Sequence, residues 1–423
     1  MKTLRNVGKP LLAMLVGIVL ALICQAEDIH LHPSASPIPK TMFGLHIHNL
    51  STTTPWPPIP FGTLRMWDTY TTWSDLEPQR DKWNFDRLDK FVSLAQEHSV
   101  DAEMVIGMPP PWASARPAEE PKFRPGSAAE PGDLEDWRNY VRTLATRYKG
   151  KIHYWEVWNE PNLKSFYSGT HESMILVQRE AYRILKQVDS TNMVISPAAV
   201  GGVNGPEWLD GFLRAGGAPF CDIIGFHFYV TPKTPEEMLP LIQRVRAVMR
   251  ANGVASKELW DTETGWFIHS DVEEVKGTAL FPVVPSEEAI GYVGRSYTLA
   301  WAGGISRLNW YDWDSKTMAL TESSGQKLKA AGYAYKVIED WLVGARMTAC
   351  DSDSSQTWIC QIERDGGYRG YIVWNPRGTK NFAAPKAWNA QTLTALSGNS
   401  RNVKGDSSVQ IGIMPILLEN KSR

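Results

Sequence analysis

From about residue 42 the chain alternates short apolar runs with longer amphipathic stretches. The apolar runs predict strands at Met42–His48, Thr63–Asp68, Asp101–Met108, Ile152–Glu160, Met193–Ser196, Asp222–Tyr229, Glu258–Thr264 and Ile305–Asp312. Between them, apolar residues recur every three to four positions, the period of a helix with one buried face. Leu134, Trp137, Val141, Leu144 and Tyr148 trace one such face; Met238, Leu241, Ile242, Val245, Val248 and Met249 trace another. The windows 86–98, 172–188, 286–302 and 326–342 repeat the pattern. Thr234-Pro-Glu-Glu237 predicts a capped helix start, with Pro at the first helical position and Glu three after the cap.

Eight strand–helix alternations over roughly 300 residues predict an α/β fold, a closed (β/α)8 TIM barrel over 40–344. A doubly wound open sheet is the structural rival, but no glycine-rich phosphate loop follows the first strand. After Gly344 long helices stop. Ala345–Cys350, Thr357–Glu363, Tyr368–Trp374 and Val409–Leu418 read as strands of a small all-β, sandwich-like domain over 345–423. A strand from 27–33 is expected to join it, because the ends of a barrel chain lie close together.

The first residues change the picture of where the protein works. Lys2, Arg5 and Lys9 precede an apolar run from Leu11 to Cys24, and Gln25 and Ala26 lead into Glu27 and Asp28. This is the form of a signal peptide over 1–26, implying an exported, periplasmic or secreted chain with no stable membrane association after cleavage. Left uncleaved, the same run would anchor it. The formal net charge of −2 carries no electrostatic footprint for nucleic acid. Cleavage leaves Cys221, which reads as a buried thiol, and Cys350 and Cys360, which flank a polar turn and could pair across a hairpin.

Function in such a barrel gathers at the C-terminal ends of the strands. The fourth strand ends Trp158-Asn159-Glu160-Pro161-Asn162 and the seventh ends Thr262-Glu263-Thr264-Gly265. Two carboxylates three strands apart face one another across the mouth. Period-two alternation puts Tyr154, Glu156, Trp158 and Glu160 on one inward face, and Leu259, Asp261 and Glu263 on another, with Trp260 outside. A pair of carboxyls suits glycosidic bond cleavage, where one donates a proton to the leaving oxygen and the other attacks. The plain alternative is two strand-end carboxylates held by nearby cations.

These two motifs resemble the signatures of clan A retaining glycosidases, and most of all glycoside hydrolase family 39, including bacterial exopolysaccharide-degrading members. The resemblance spans about residues 40–345. It implies Glu160 as acid/base, Glu263 as nucleophile, Asn159 as a ligand of the sugar 2-hydroxyl and Arg65 as a residue orienting the nucleophile. Asp261 is less typical of its place two before the nucleophile.

Further candidates follow from position. His227 and Tyr229 share a face of the sixth strand and are expected to hold Glu263 or the sugar. Glu156 and Asp261 are inward charges with Arg65 as their natural partner. The 18 Trp are many, and indole faces suit sugar rings as well as cores. Trp310 and Trp313 are candidates for a stacking floor, with Trp67, Trp73, Trp112 and Trp266 near other strand ends. His46-Ile47-His48 is a His-x-His that a metal-dependent barrel hydrolase would use, yet the fifth strand ends without a histidine; His46 is assigned instead to a sugar hydroxyl. The loops Ala113–Gly132 and Ile268–Pro285 are expected to rise around the cleft. The resulting expectation is an exported retaining O-glycoside hydrolase acting on an oligo- or polysaccharide without cofactor. Its rivals are a metal-dependent hydrolase using His46 and His48, and a carbohydrate-binding barrel without turnover.

Overall fold

A computed structural model describes residues 28–50, 52–120, 123–202, 204–323, 325–404 and 408–421. The expected signal peptide lies outside them. Among the described residues no helix is long and apolar enough to cross a membrane.

All eight barrel strands form: β1 (Phe43–Leu45), β2 (Thr63–Met66), β3 (Asp101–Ile106), β4 (Tyr154–Val157), β5 (Met193–Ile195), β6 (Ile223–His227), β7 (Glu258–Thr264) and β8 (Arg307–Trp310). Each pairs in parallel with its neighbours, and β8 returns to β1 through Leu308↔Phe43, so the ring closes. Leu64, Met104, Trp155, Ile224, Phe226 and Leu308 point outward into one continuous apolar core shared with the helices. The expected helices are present, including Leu134–Arg147, His171–Val188 and Ser286–Ala302.

The barrel interior is unusually polar. At its base Tyr154, Ile195, Ile223 and Trp260 cluster, with the Arg307 guanidinium 3.9 Å above the Trp260 ring. Above them lie Glu103, Asn309, Glu156 and Arg65, all fully buried.

Two face assignments are corrected here. On β7 Trp260 and Thr262 point inward and Leu259 packs in the outer core; Asp261 pairs with Phe226 of β6, which also faces out. The register with β8 then slips between Leu308 and Trp310, a β-bulge that brings the next residue, Glu263, back to the inside. On β4, Trp158 leaves the inward face. Its φ of 73° swings the indole outward, where it donates to the Phe166 carbonyl at 2.8 Å. Gly107 makes room for it, since a Cβ there would lie 2.9 Å from the ring.

The capping box at Thr234 does not form: its side chain caps nothing, and a short 3₁₀ turn over Pro235–Glu237 precedes the helix Met238–Ala251. The Glu236 carboxylate instead accepts from Arg295 (3.0 Å) and from the Trp374 indole (2.9 Å).

After Gly344 come β9 (Arg346–Ser352), β10 (Trp358–Arg364) and β11 (Tyr368–Trp374). With Ile416–Glu419, Thr392–Ala395, Ser400–Asn402 and the N-terminal strand Ile29–Leu31, which pairs antiparallel with β9, they form a seven-stranded sheet. Cys350 and Cys360 are directly opposed on β9 and β10 and disulfide-bonded. The expected strand Val409–Leu418 is two strands, Ser408–Ile411 and Ile416–Glu419, because Gly412 and Pro415 interrupt it. One face of the sheet presents Cys350, Trp358, Cys360, Ile362, Trp374 and Leu417 to the barrel's own core. The other packs Tyr371, Val373, Leu393 and Leu418 into a second cluster.

Candidate active site

The mouth of the barrel gathers carboxylates of three strands, β3, β4 and β7, around one guanidinium of β2. Arg65, on β2, is fully buried, and its Nη1 donates to Glu263 Oε2 at 2.8 Å. Its Nε and Nη2 donate to both oxygens of Glu156 on β4, and Nη2 also donates to Asn159 Oδ1 at 2.8 Å. Glu103 on β3 approaches Nε at 3.6 Å. Asp261, expected beside Arg65, faces elsewhere and accepts from the Phe228 amide at 3.2 Å. Burial pushes the Asp261 carboxyl well above its ordinary range. Burial, reinforced by the charge of Glu156, likewise pushes Glu103 up to about 8.

Glu263 is tied on both oxygens, because Tyr229 donates its hydroxyl to Oε1 at 3.0 Å. Burial raises its carboxyl above the usual value, while the His227 ring and the Arg65 guanidinium pull it back. Glu160 follows β4 with φ 45°, and a 3.0 Å hydrogen bond joins its Oε1 to His227 Nδ1. Burial holds His227 down at about 4, so the ring is neutral near pH 7. One ligand atom from each of Glu160, His227 and Glu263 lies within 4.8 Å of the others. The two carboxylates are therefore close to the roughly 5–5.5 Å of a double displacement and well short of the 6.5–9.5 Å that leaves room for a water. The same trio could present oxygen and nitrogen to a cation, but Arg65 already occupies Glu263 with a positive charge.

A cleft of about 510 Å³ opens above the pair. Asn159, Glu160, Glu263 and Tyr229 form its polar floor. The buried Asn159 Nδ2 has no partner among the described residues, which leaves a donor beside the carboxylates. Its walls are Trp67, Phe123, Phe166, Phe267, Phe281 and Tyr311. Both long loops contribute, the first with Phe123 and the second with Leu280 and Phe281.

The structure brings Arg65, Asn159, Glu160, His227, Tyr229 and Glu263 together. It does not bring Trp310 to the cleft: that indole is fully buried, donates to the Met318 carbonyl at 3.3 Å and packs on Trp266. Trp313, Trp73 and Trp266 are core residues too, leaving Trp67 as the tryptophan that lines the cleft among those singled out. Tyr311 takes the place expected of Trp310. On β8 Arg307 and Asn309 face in while Leu308 and Trp310 face out, so the next inward residue is Tyr311; that alternation was the overlooked signal. Asp68, which accepts from the Tyr311 hydroxyl at 2.8 Å, was also missed.

His46 lies beneath the floor, fully buried, with Nε2 3.2 Å from the Thr262 carbonyl and 3.4 Å from Arg65. Burial, with the Arg65 charge, holds it well below its ordinary value, and it supports the network without lining the cleft. His48 points away from it, to Asp314 at 3.4 Å and Asp312 at 3.5 Å. The His-x-His pair therefore does not converge on one ion.

A closed βα-barrel carrying paired carboxylates on β4 and β7 is the architecture of clan A glycoside hydrolases. Residues 62–254 match the family model "Glycosyl hydrolases family 39". The matched span contains Trp158–Asn162 and ends before Glu263, whose place in the site rests on the geometry above. A β-xylosidase of Caldicellulosiruptor saccharolyticus is 33% identical over 163 residues, 35% of this chain and 33% of that protein. A β-xylosidase of Geobacillus stearothermophilus is 25% identical over 229 residues, 47% of this chain and 44% of that one. The chain thus matches less than half the length of either relative. In fold it is similar to a family 39 glycoside hydrolase of Bacteroides cellulosilyticus WH2, with TM-score 0.71 and 20% identity over 90% of this chain and 80% of that one.

Proposed function

We propose that this chain is an exported retaining O-glycoside hydrolase with Glu160 as acid/base and Glu263 as nucleophile. The observation that carries this reading is the pair of carboxylates within 4.8 Å, differently held: Glu263 by Arg65 and Tyr229, Glu160 by a neutral imidazole. Arg65 favours the ionised form of Glu263, which an attacking group requires. Glu160 meets the neutral His227 ring at 3.0 Å, and in this assignment it carries the proton that the leaving oxygen needs. In the first step Glu263 Oε bonds to the anomeric carbon, the carbon–oxygen bond to the leaving group breaks, and the Glu160 proton passes to that oxygen. In the second, Glu160 takes a proton from water, the water oxygen attacks the same carbon, and the ester to Glu263 breaks. Asn159 Nδ2 is placed to hold the neighbouring hydroxyl through both steps.

The named relatives make β-xylosides the first substrates to try. A 2-deoxy-2-fluoro glycoside with a good leaving group should label the protein once, on the peptide carrying Glu263. Peptide mass spectrometry reads the position, and a label elsewhere would overturn the assignment.

Export is part of the proposal and rests on Met1–Ala26 alone. The secreted or periplasmic protein should start near Glu27 by intact mass. A full-length mass in a membrane fraction would show an anchor instead.

A further inference from the structure

The cleft does not end at the catalytic pair. A second cavity of about 420 Å³ opens over β1, β2 and β3, and Asp68, Phe123 and Tyr311 line both. The two share this rim, and each alone is within the roughly 300–1,000 Å³ of small-ligand sites. None of the residues assigned to the chemistry above lines the second cavity. Its wall has the make-up of a sugar site. Asn49, Thr72, Ser74 and Ser127 supply polar groups, and Tyr70, 61% exposed, supplies a ring. Arg87 lies 4.9 Å over that ring, and holds it in place.

We propose that this second cavity binds a further neutral sugar ring on the side of the bond that stays with Glu263, so that the enzyme cuts inside a chain and releases more than one ring at a time. The proposal rests on the glycosidase reading and deepens it. The direction follows from the chemistry. Glu160 protonates the leaving oxygen, so the leaving group lies on its side of the mouth, against Leu163 and Phe166. The retained sugar sits on Glu263, and beyond it the hydrogen-bonded Asp68 and Tyr311 form the rim over which a chain would run into the second cavity. Neutrality follows from the charges. Arg124 is paired with Asp75, and His48, raised to about 9 by Asp314, Asp312 and Asp68, already faces two carboxylates. An acidic sugar would find no unpaired cation among these residues and would meet Asp68.

The test uses 4-nitrophenyl β-glycosides of xylose, galactose, glucose and mannose, each with a one-ring and a two-ring glycone. For the sugar that is turned over, the two-ring compound should show kcat/KM about tenfold or more above the one-ring compound and release its disaccharide intact. Two variants distant from the carboxylates should erase that advantage and leave the one-ring rate within about twofold. Tyr70→Asn removes the ring and tolerates the φ of 57° at this position; Ser315→Trp fills the cavity. A two-ring glycone ending in glucuronic acid should gain nothing. Equal rates for one and two rings, or equal losses on both in the variants, overturn the second site and leave the hydrolase standing. No turnover on any compound, together with no binding to the Glu160→Gln protein by calorimetry, overturns both.

Discussion

Glu263→Ala should lose on the order of 10⁵-fold in turnover, because no other group can attack the anomeric carbon. The space left between Arg65 and Tyr229 suits a small anion, since both donate hydrogen bonds into it. Azide should therefore restore turnover of an activated aryl glycoside, and one displacement in place of two should give a glycosyl azide of inverted configuration. Glu160→Ala should behave differently. An activated leaving group departs without a proton, so the first step survives while the second slows for want of a general base. Azide should then speed the second step and give a product of retained configuration. NMR of the two azide products is decisive: exchanged configurations would reverse the two roles, and undiminished turnover in both variants would move the active site elsewhere.

The second large effect concerns stability. Arg65→Leu leaves Glu156, Glu263 and Glu103 buried around a vanished cation. Breaking a buried pair in this way costs roughly 3–5 kcal/mol. The variant should unfold at markedly lower denaturant, and Arg65→Lys, which returns the charge but not three simultaneous contacts, should recover part of that loss and little activity. The pH dependence has a definite sign. Without Arg65 the carboxyls are raised further in the folded protein than in the unfolded chain. A raised carboxyl supplies stability that is full below its unfolded value and lost as pH rises through the folded one. Glu103 already shows that direction, from 4.5 to about 8. The gap between Arg65→Leu and the parent should therefore narrow as pH falls from 8 towards 5. An unchanged gap would mean that the carboxyls do not depend on Arg65 for their charge.

The eight strands, the helices and both glutamates were legible because burial imposes a period, and the barrel puts chemistry at strand ends. His227 and Tyr229 followed from the same rule, whereas Asn159 and the role of Arg65 came from the family resemblance. What the rule missed has one physical origin. Alternation assumes an unbroken ladder, and the mouth of this barrel breaks it twice: at Trp158, with its left-handed backbone, and in the bulge before Glu263. No side-chain pattern announces either event. Glu263 was placed inside for a wrong reason, since the face of Asp261 and Leu259 turned out to be the outer one. Trp310 was preferred to Tyr311 on residue type, although its own strand alternated correctly.

The core shared between barrel and terminal sheet sets how the chain can come apart. Trp358, Ile362 and Trp374 belong to the same apolar cluster as Trp341 and Leu342 of the last barrel helix, and the strand Ile29–Leu31 closes the sheet from the other end of the sequence. The sheet is thus no movable accessory. Excising it would uncover the apolar core that the sheet shares with the last barrel helix, and heating should melt both together in a single cooperative transition.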